Sequence, residues 1–447
     1  MICTRGRKPF NGEEEETELY PDDDISLFDQ DAVQKRNRLI ELARILDEPV
    51  IDLSSLRQSV FHGIPFLRDD MTIWIKDQDI KTLPLTQQVS HTFRALTWRM
   101  MLGTLGFDNT KWNERLHQNI ETYELWKSEF IKDARYIEGL YTDKEEFKKD
   151  YETARAEHRL IRIAKIRGDK LDTEKLAQFP KKQFVNEWET FFADNELWDE
   201  IWKDVRRTRT EMGFFKLPLD PKKKLTIEDL DRLEMQFETP KIDLSPEDLD
   251  NYIRTHSDVL ARILFVYAKL NAGLKYVQGM NEVLAVLYYC FWLGGSLMPP
   301  SQKPEPSEDE EGSQISSAKS DDVFTIDFMH FEADVFSAFS SVMADLRDGF
   351  IRELDKEASG LQGHIHHYDR VLRAVDQPVW SEIAEEAQVS HQFYTLRWFM
   401  LLMCQEFELL CVLRLWDTLV AAEGPDLTSA ELFSAGAVPS NQEDIKI

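Results

Sequence analysis

Two short stretches hold residues whose types and spacing suit chemistry as well as packing. In KYVQGMNEVL, Lys275–Leu284, a bare carboxamide, Gln278, stands directly before the most apolar segment of the chain. Gly279 permits an unusual φ or a close backbone approach. Asn281 has the side chain of a helix N-cap, and Glu282 would suit the dipole of the helix that follows. Gln278 is then either the last loop residue before a core helix or an amide displayed for chemistry. In ELWDEIWKDVRRTRTEMGFF, Glu196–Phe215, Leu197, Ile201 and Val205 recur at spacings of four and face a core. Asp204 and Arg207 lie three apart on the neighbouring face, close enough to pair; spacing alone makes this an ordinary ion pair on an amphipathic helix. A third cluster, His364, His366, His367 and Asp369, could be imagined around a metal, though a solvent-facing set at a helix start is the plainer reading. The chain has no GxxxxGK[ST] loop, so it is not itself a P-loop nucleotide hydrolase. No nucleophile elbow and no Ser–His–Asp arrangement can be argued.

The bulk properties limit what these residues can serve. The 447 residues suffice for one large domain or two to three ordinary ones. A hydrophobic fraction of 42% with 11 Trp supports a substantial core. Lys and Arg number 54 against 82 Asp and Glu, a formal charge of −28. A field of that sign excludes nucleic-acid binding through overall charge and argues against direct docking on anionic lipid. A small basic patch for an acidic partner stays open. The four Cys form no CxxC pair, and Cys290, Cys404 and Cys411 lie in apolar runs as small hydrophobes. Neither a disulfide scaffold nor a zinc site is supported. No secretory leader is visible, and the apolar run Val283–Leu293 is too short to span a bilayer. A cytoplasmic protein without membrane insertion is expected.

The elements that must position these residues are helical. From Asp31, the residues Val33, Leu39, Ile40, Leu42 and Leu46 fall roughly on one face until His62-Gly63-Ile64-Pro65 breaks the pattern. Arg94–Gly106 resumes a strong helix. Trp112–Arg167 reads as an elaborated, charged surface more than a core. In Asp327–Leu346, Phe328, Phe331, Val335, Phe339, Val342 and Leu346 repeat at helical spacing. Leu217–Leu225 reads as a loop. So does the acidic insertion 302–322, whose composition cannot bury a core. No period-two alternation is convincing. The expected organisation is all-α: a disordered acidic N-terminus over 1–30, a helical lead-in over 31–62, one domain over 63–427 interrupted by the flexible insertion, and an atypical tail over 428–447.

The two stretches together resemble the signature of the TBC domain, the family of GTPase-activating proteins for Rab GTPases. The family's I-x-x-D-x-x-R-T is matched by Ile201, Asp204, Arg207 and Thr208, and its Y-x-Q-G-M-N by Tyr276, Gln278, Gly279, Met280 and Asn281. The elements L-R-W, E-F and L-W-D are matched by Leu396-Arg397-Trp398, Glu406-Phe407 and Leu415-Trp416-Asp417, and the opening G-I-P by Gly63-Ile64-Pro65. The motifs stand in the family's order over most of the chain.

The resemblance implies an activator acting in trans on a GTP-bound Rab-family GTPase. Arg207 would be an arginine finger and Gln278 a glutamine finger, the latter replacing the water-positioning glutamine of the GTPase. Asp204 would preset the direction of Arg207, while Tyr276, Gly279 and Asn281 would shape the loop that presents Gln278. On this view the chain is no GTP hydrolase itself and has no metal or cofactor of its own, because nucleotide and Mg²⁺ belong to the partner. It would reach membranes only transiently, through the anchored Rab. The resemblance also implies further helices beyond the third motif, where TSAELFSAGAVPSNQEDIKI does not read like them. The domain's C-terminal part is therefore expected to be truncated, leaving an uncovered apolar face around Phe399–Leu419. That expectation keeps a second reading open, a Rab-binding scaffold without stimulation. A metal-dependent hydrolase on the histidine cluster is a distant third.

Overall fold

The computed structural model describes residues 23–66, 87–219, 242, 251–295, 328–350 and 361–422. Its elements are α1 (Asp23–Asp47), α2 (Leu53–Phe61), α3 (Gln87–Met101), α4 (Trp112–Phe130), α5 (Ala134–Glu138), α6 (Lys144–Arg167), α7 (Thr173–Leu176) and α8 (Val185–Val205). There follow α9 (His256–Leu270), α10 (Met280–Gly294), α11 (Phe328–Phe350), α12 (Leu361–Val375), α13 (Gln377–Ser381), α14 (Gln392–Met400) and α15 (Leu409–Ala421). Among the described residues the fold is all-α; the only ladder pairings are two isolated bridges, Val50 with Asp108 and Pro218 with Thr255. No helix of the described residues is long and apolar enough to cross a membrane.

Local sequence chemistry sets many of the helix starts. Asp52, Asp133, Asp143, Asp172 and Asp376 each accept a hydrogen bond from the first turn of the helix that follows, satisfying donors with no intrahelical partner. Thr255 and Asp258 form a reciprocal capping box at the start of α9.

Helix α10 is apolar on all sides and is accordingly buried almost throughout. It packs most closely along α3, with α9, α11 and α15 also against it. Gly294 makes the close crossing with α3 possible: a Cβ there would stand 2.3 Å from Ala95 Cβ and 2.8 Å from the His91 carbonyl oxygen. The α11 stripe behaves as its spacing predicts, with Phe331, Val335, Phe339, Val342 and Leu346 all buried. A smaller core joins α1 and α2 to the outer side of α3 through Leu39, Leu42, Leu56 and Val60.

Three sequence expectations change. Helix α1 already begins at Asp23, so the last part of the segment expected to be disordered is helical; residues 1–22 lie outside the described part. The Trp112–Arg167 span is mainly surface, as expected, with a few residues that reach the core. Tyr123 of α4 is 1% exposed and donates to Glu332 of α11 at 2.7 Å, where Arg262 of α9 forks onto the same carboxylate at 2.7 Å to each oxygen. Cys411 is exposed, unlike Cys290 and Cys404. Finally, Phe399–Leu419 is no open apolar face: Phe399, Leu402, Cys404, Val412, Leu413 and Trp416 are each 0% exposed. Helix α15 is covered by α2, α3 and α10, elements from far earlier in the chain that local reading could not assign to it. The acidic insertion 302–322 and the tail 428–447 lie outside the described residues.

One buried cluster fastens the two ends of the described fold. Asp417 of α15 accepts from Arg94 Nε at 2.9 Å, Arg94 Nη2 at 3.0 Å, the Ile64 backbone N–H at 2.8 Å and Trp98 Nε1 at 3.0 Å. Arg94 Nη2 also donates to the Ile64 carbonyl at 2.7 Å, and both side chains of the ion pair are 0% exposed. The adjacent Trp416 stacks on Trp98 and donates from Nε1 to the Leu402 carbonyl at 3.1 Å. The cluster thereby holds the turn 401–408 that reaches the site described next.

Candidate functional site

Helix α8 ends at Val205, and the chain turns at once: the amides of Arg207 and Thr208 close back on the carbonyls of Asp204 and Val205 at 3.1 Å each. Ile201 and Val205 anchor this end in the core at 0% and 1% exposure. Asp204 is thus buried at the rim of the core, while Arg207 points outward with its side chain 59% exposed. The two form an ion pair through Arg207 Nη2 and Asp204 Oδ1. This is more than a surface pair, because the carboxylate is 8% exposed and its other oxygen is also taken. The Tyr276 hydroxyl donates to Asp204 Oδ2 at 2.8 Å.

Tyr276 belongs to the second stretch, so this bond joins the two. Burial first, and then the neighbouring Asp204 charge, push the phenol well above its ordinary range. It therefore stays protonated and a donor at any working pH. A second bridge runs alongside: Asn281 Nδ2 donates to Thr208 Oγ1 at 2.8 Å, and Thr208 Oγ1 donates to the Asp204 carbonyl at 3.0 Å. Asn281 Oδ1 accepts from the Gly279 amide at 3.2 Å. The N-cap of α10 is Gly279, not Asn281 as expected. Asn281 lies inside the first turn and turns its amide back onto the loop and across to Thr208, a use that cap statistics do not reveal.

Between Tyr276 and Gly279 the chain lifts Gln278 into solvent, and among the described residues no group bonds its carboxamide. The bend needs Gly279. Its φ is +107°, and a Cβ there would meet Leu401 Cδ2 at 2.7 Å. Substituting alanine should therefore do two things at once: strain the backbone and push Leu401 away. We expect Gly279→Ala to cost about 1–3 kcal/mol of stability and to displace Gln278. Chemical denaturation measures the first. A variant as stable as the parent would show that the loop relaxes freely.

Spacing did not single out the remaining supports. Arg209 has a left-handed φ of +45° and a buried side chain. Its Nη2 donates to the Cys404 carbonyl, and its Nε lies 3.3 Å from Glu282 Oε2. Burial raises the Glu282 carboxyl above its ordinary range, with Arg209 working against that rise. Arg209, Glu282, Leu401 and Cys404 thus tie both loops to the turn held by the Asp417 cluster. Only the run RRTRT hinted at Arg209, and nothing local marks Leu401 or Cys404.

The histidine cluster is not assembled. Among the described residues no three His, Cys, Asp or Glu side chains gather to hold a metal ion. Asp369 instead accepts from Trp380 Nε1 at 2.8 Å and lies 3.1 Å from His391 Nε2.

A family profile described as the Rab-GTPase-TBC domain matches residues 243–438. The matched stretch contains Tyr276, Gln278, Gly279 and Asn281 but ends short of Asp204 and Arg207. Over a longer span, 27% of 415 residues are identical to human TBC1 domain family member 13, covering 86% of this chain and 84% of that protein. The GTPase-activating protein GYP1 of Saccharomyces cerevisiae is 25% identical over 179 residues, 40% of this chain and 26% of its own length. The crystal structure of the Ypt/Rab-GAP domain of Gyp1p aligns over 90% of this chain and 83% of its own, with 16% identity and a TM-score of 0.49.

Proposed function

We propose, on the premise that this chain carries a Rab-GTPase-TBC domain, that it accelerates GTP hydrolysis on a Rab-family GTPase by offering Arg207 and Gln278 in trans. One observation carries the reading. Asp204, Tyr276, Asn281 and Thr208 bond the two loops into a single unit from which both candidate fingers project into solvent.

The residue types fit the tasks. A GTPase hydrolyses slowly when charge spreading over the γ-phosphate oxygens is poorly stabilised and the attacking water is poorly held. A guanidinium is a permanently charged planar fork matched to phosphate oxygens. Asp204 occupies one edge of that fork and leaves the other N–H groups for the partner. A neutral carboxamide can accept from the water while donating toward the phosphate. Nucleotide and Mg²⁺ arrive with the GTP-bound partner, so this chain contributes side chains alone, and it works wherever that partner is anchored.

The test uses a Rab whose own active-site glutamine is replaced by Leu. Gln278 supplies the missing group, so the parent chain should stimulate this Rab to within about tenfold of the unmodified one. Gln278→Ala should lower its stimulation of either Rab by roughly 10²-fold, the scale for removing one positioned polar group from a transition state. Single-turnover phosphate release reads both. Complete loss of stimulation on the glutamine-less Rab, with binding intact, would remove Gln278 from the mechanism.

A further inference from the structure

The C-terminal half of α6 departs from the rest of the molecule in charge. From Thr153 to Arg167 it carries Arg155, Arg159, Arg162, Lys165 and Arg167 against only Glu157, in a chain of net charge −28. It also exposes apolar side chains among these charges: Ile163 is 40% and Ile166 75% exposed. The helix is held to α8 from its inner side, by His158 stacked on Phe192 and by Arg162 Nη2 on Asp199 at 2.8 Å.

Between α6, α8 and the C-terminal end of α9 runs a solvent-open groove of about 830 Å³. Ile166 and Leu197 line it together with Lys165, Lys203 and Lys275 and with three carboxylates, Glu196, Asp199 and Glu200. Two of these lysines neighbour the site in sequence. Lys203 directly precedes Asp204 and Lys275 directly precedes Tyr276, the pair whose hydrogen bond joins the two finger loops. Glu200 in the same lining is near enough to Tyr276 for its charge to act on the phenol, so the groove adjoins the base of the two loops. Lys165 and Lys203 are drawn to Glu196 and Asp199 along the wall. Lys275, by contrast, has no ion-pair partner among the described residues.

From this adjacency we infer that the groove is a second contact surface for the partner GTPase. It would take a surface segment of the partner with an apolar side chain flanked by carboxylates. The inference rests on the function proposed above and extends it from catalysis to partner choice. Docking an apolar side chain on Ile166 removes surface from water that otherwise stays exposed, and the lining lysines favour acidic flanks and disfavour basic ones. A groove remote from the reacting atoms alters how tightly the partner is held and leaves the rate once bound unchanged.

The experiment measures single-turnover phosphate release against the concentration of this chain, with the GTP-loaded Rab that the parent stimulates best in a panel. Ile166→Asp with Lys165→Glu should raise the half-saturating concentration about tenfold or more and leave the maximal rate within about twofold. Ile166→Leu should behave as the parent. All three side-chain changes are at exposed positions, and an unchanged melting temperature confirms an intact fold. An unchanged half-saturating concentration with an active parent overturns the groove and leaves the fingers standing. A lowered maximal rate alone also overturns it. If the double variant instead loses binding to phosphatidylserine vesicles at unchanged half-saturation, the surface belongs to a membrane and the inference is wrong. A parent that stimulates no Rab of the panel brings down the proposed function, and the groove assignment with it.

Discussion

Replacing Arg207 by Lys should abolish most of the stimulation while leaving the GTPase bound. An arginine offered in trans to a GTPase is worth roughly 10³–10⁵ in rate, and we expect at least about 10³ of it to vanish. The geometry explains why retained charge is not enough. In this site Asp204 already engages one guanidinium nitrogen, and the Tyr276 bond holds that carboxylate in place at 2.8 Å. A guanidinium can satisfy Asp204 and still present further N–H groups outward. An ammonium is a single point on a flexible stem, and beside a buried carboxylate it would stay with Asp204. Single-turnover phosphate release, with binding followed separately on a non-hydrolysable GTP analogue, separates the two effects. A Lys variant that stimulates as the parent does would show that Arg207 is not the finger.

The largest expected loss of stability comes from Asp417→Ala, in a residue remote from any reacting atom. The substitution leaves the Arg94 guanidinium at 0% exposure without its counter-ion, and takes the acceptor from the Ile64 amide and from Trp98 Nε1. Removing one partner of a buried ion pair costs about 3–5 kcal/mol, against a total of about 5–15 for a typical domain. The melting temperature should fall by roughly 10 °C. The double change Asp417→Leu with Arg94→Met should recover part of that loss, because it removes both charges together. Stimulation should suffer as well, since Trp416 bonds the turn whose Leu401 packs against Gly279 and whose Cys404 carbonyl takes Arg209. A single variant that melts within about 2 °C of the parent would show that the cluster is relaxed by other means.

The sequence by itself determined the class of the fold and where chemistry could sit. Helical spacing in α11 and the all-round apolar run of α10 can only be satisfied by helices buried on one face or on all, and both are. Asp204 and Arg207, three apart where α8 ends, pair as their spacing predicts, although Arg207 lies in the turn just past Val205. The Gly in the second stretch likewise announced an unusual φ, and Gly279 has one.

Only the tertiary structure decided how these local pieces meet. Tyr276 reaches across 72 positions of sequence to Asp204, and Asn281 across 73 to Thr208; no periodicity encodes such a distance. The same holds for the role of Asn281. Its residue type favours capping its own helix, yet packing brings Thr208 within reach and the amide is used there. Leu401 and Cys404 look like ordinary core residues in the chain, but the Asp417 cluster, closed over 353 positions to Ile64, sets their turn against Gly279 and Arg209. Local propensity acts over a few residues and can be read in order. Long-range contacts depend on which buried surfaces fit one another, and that is settled only when the whole core packs.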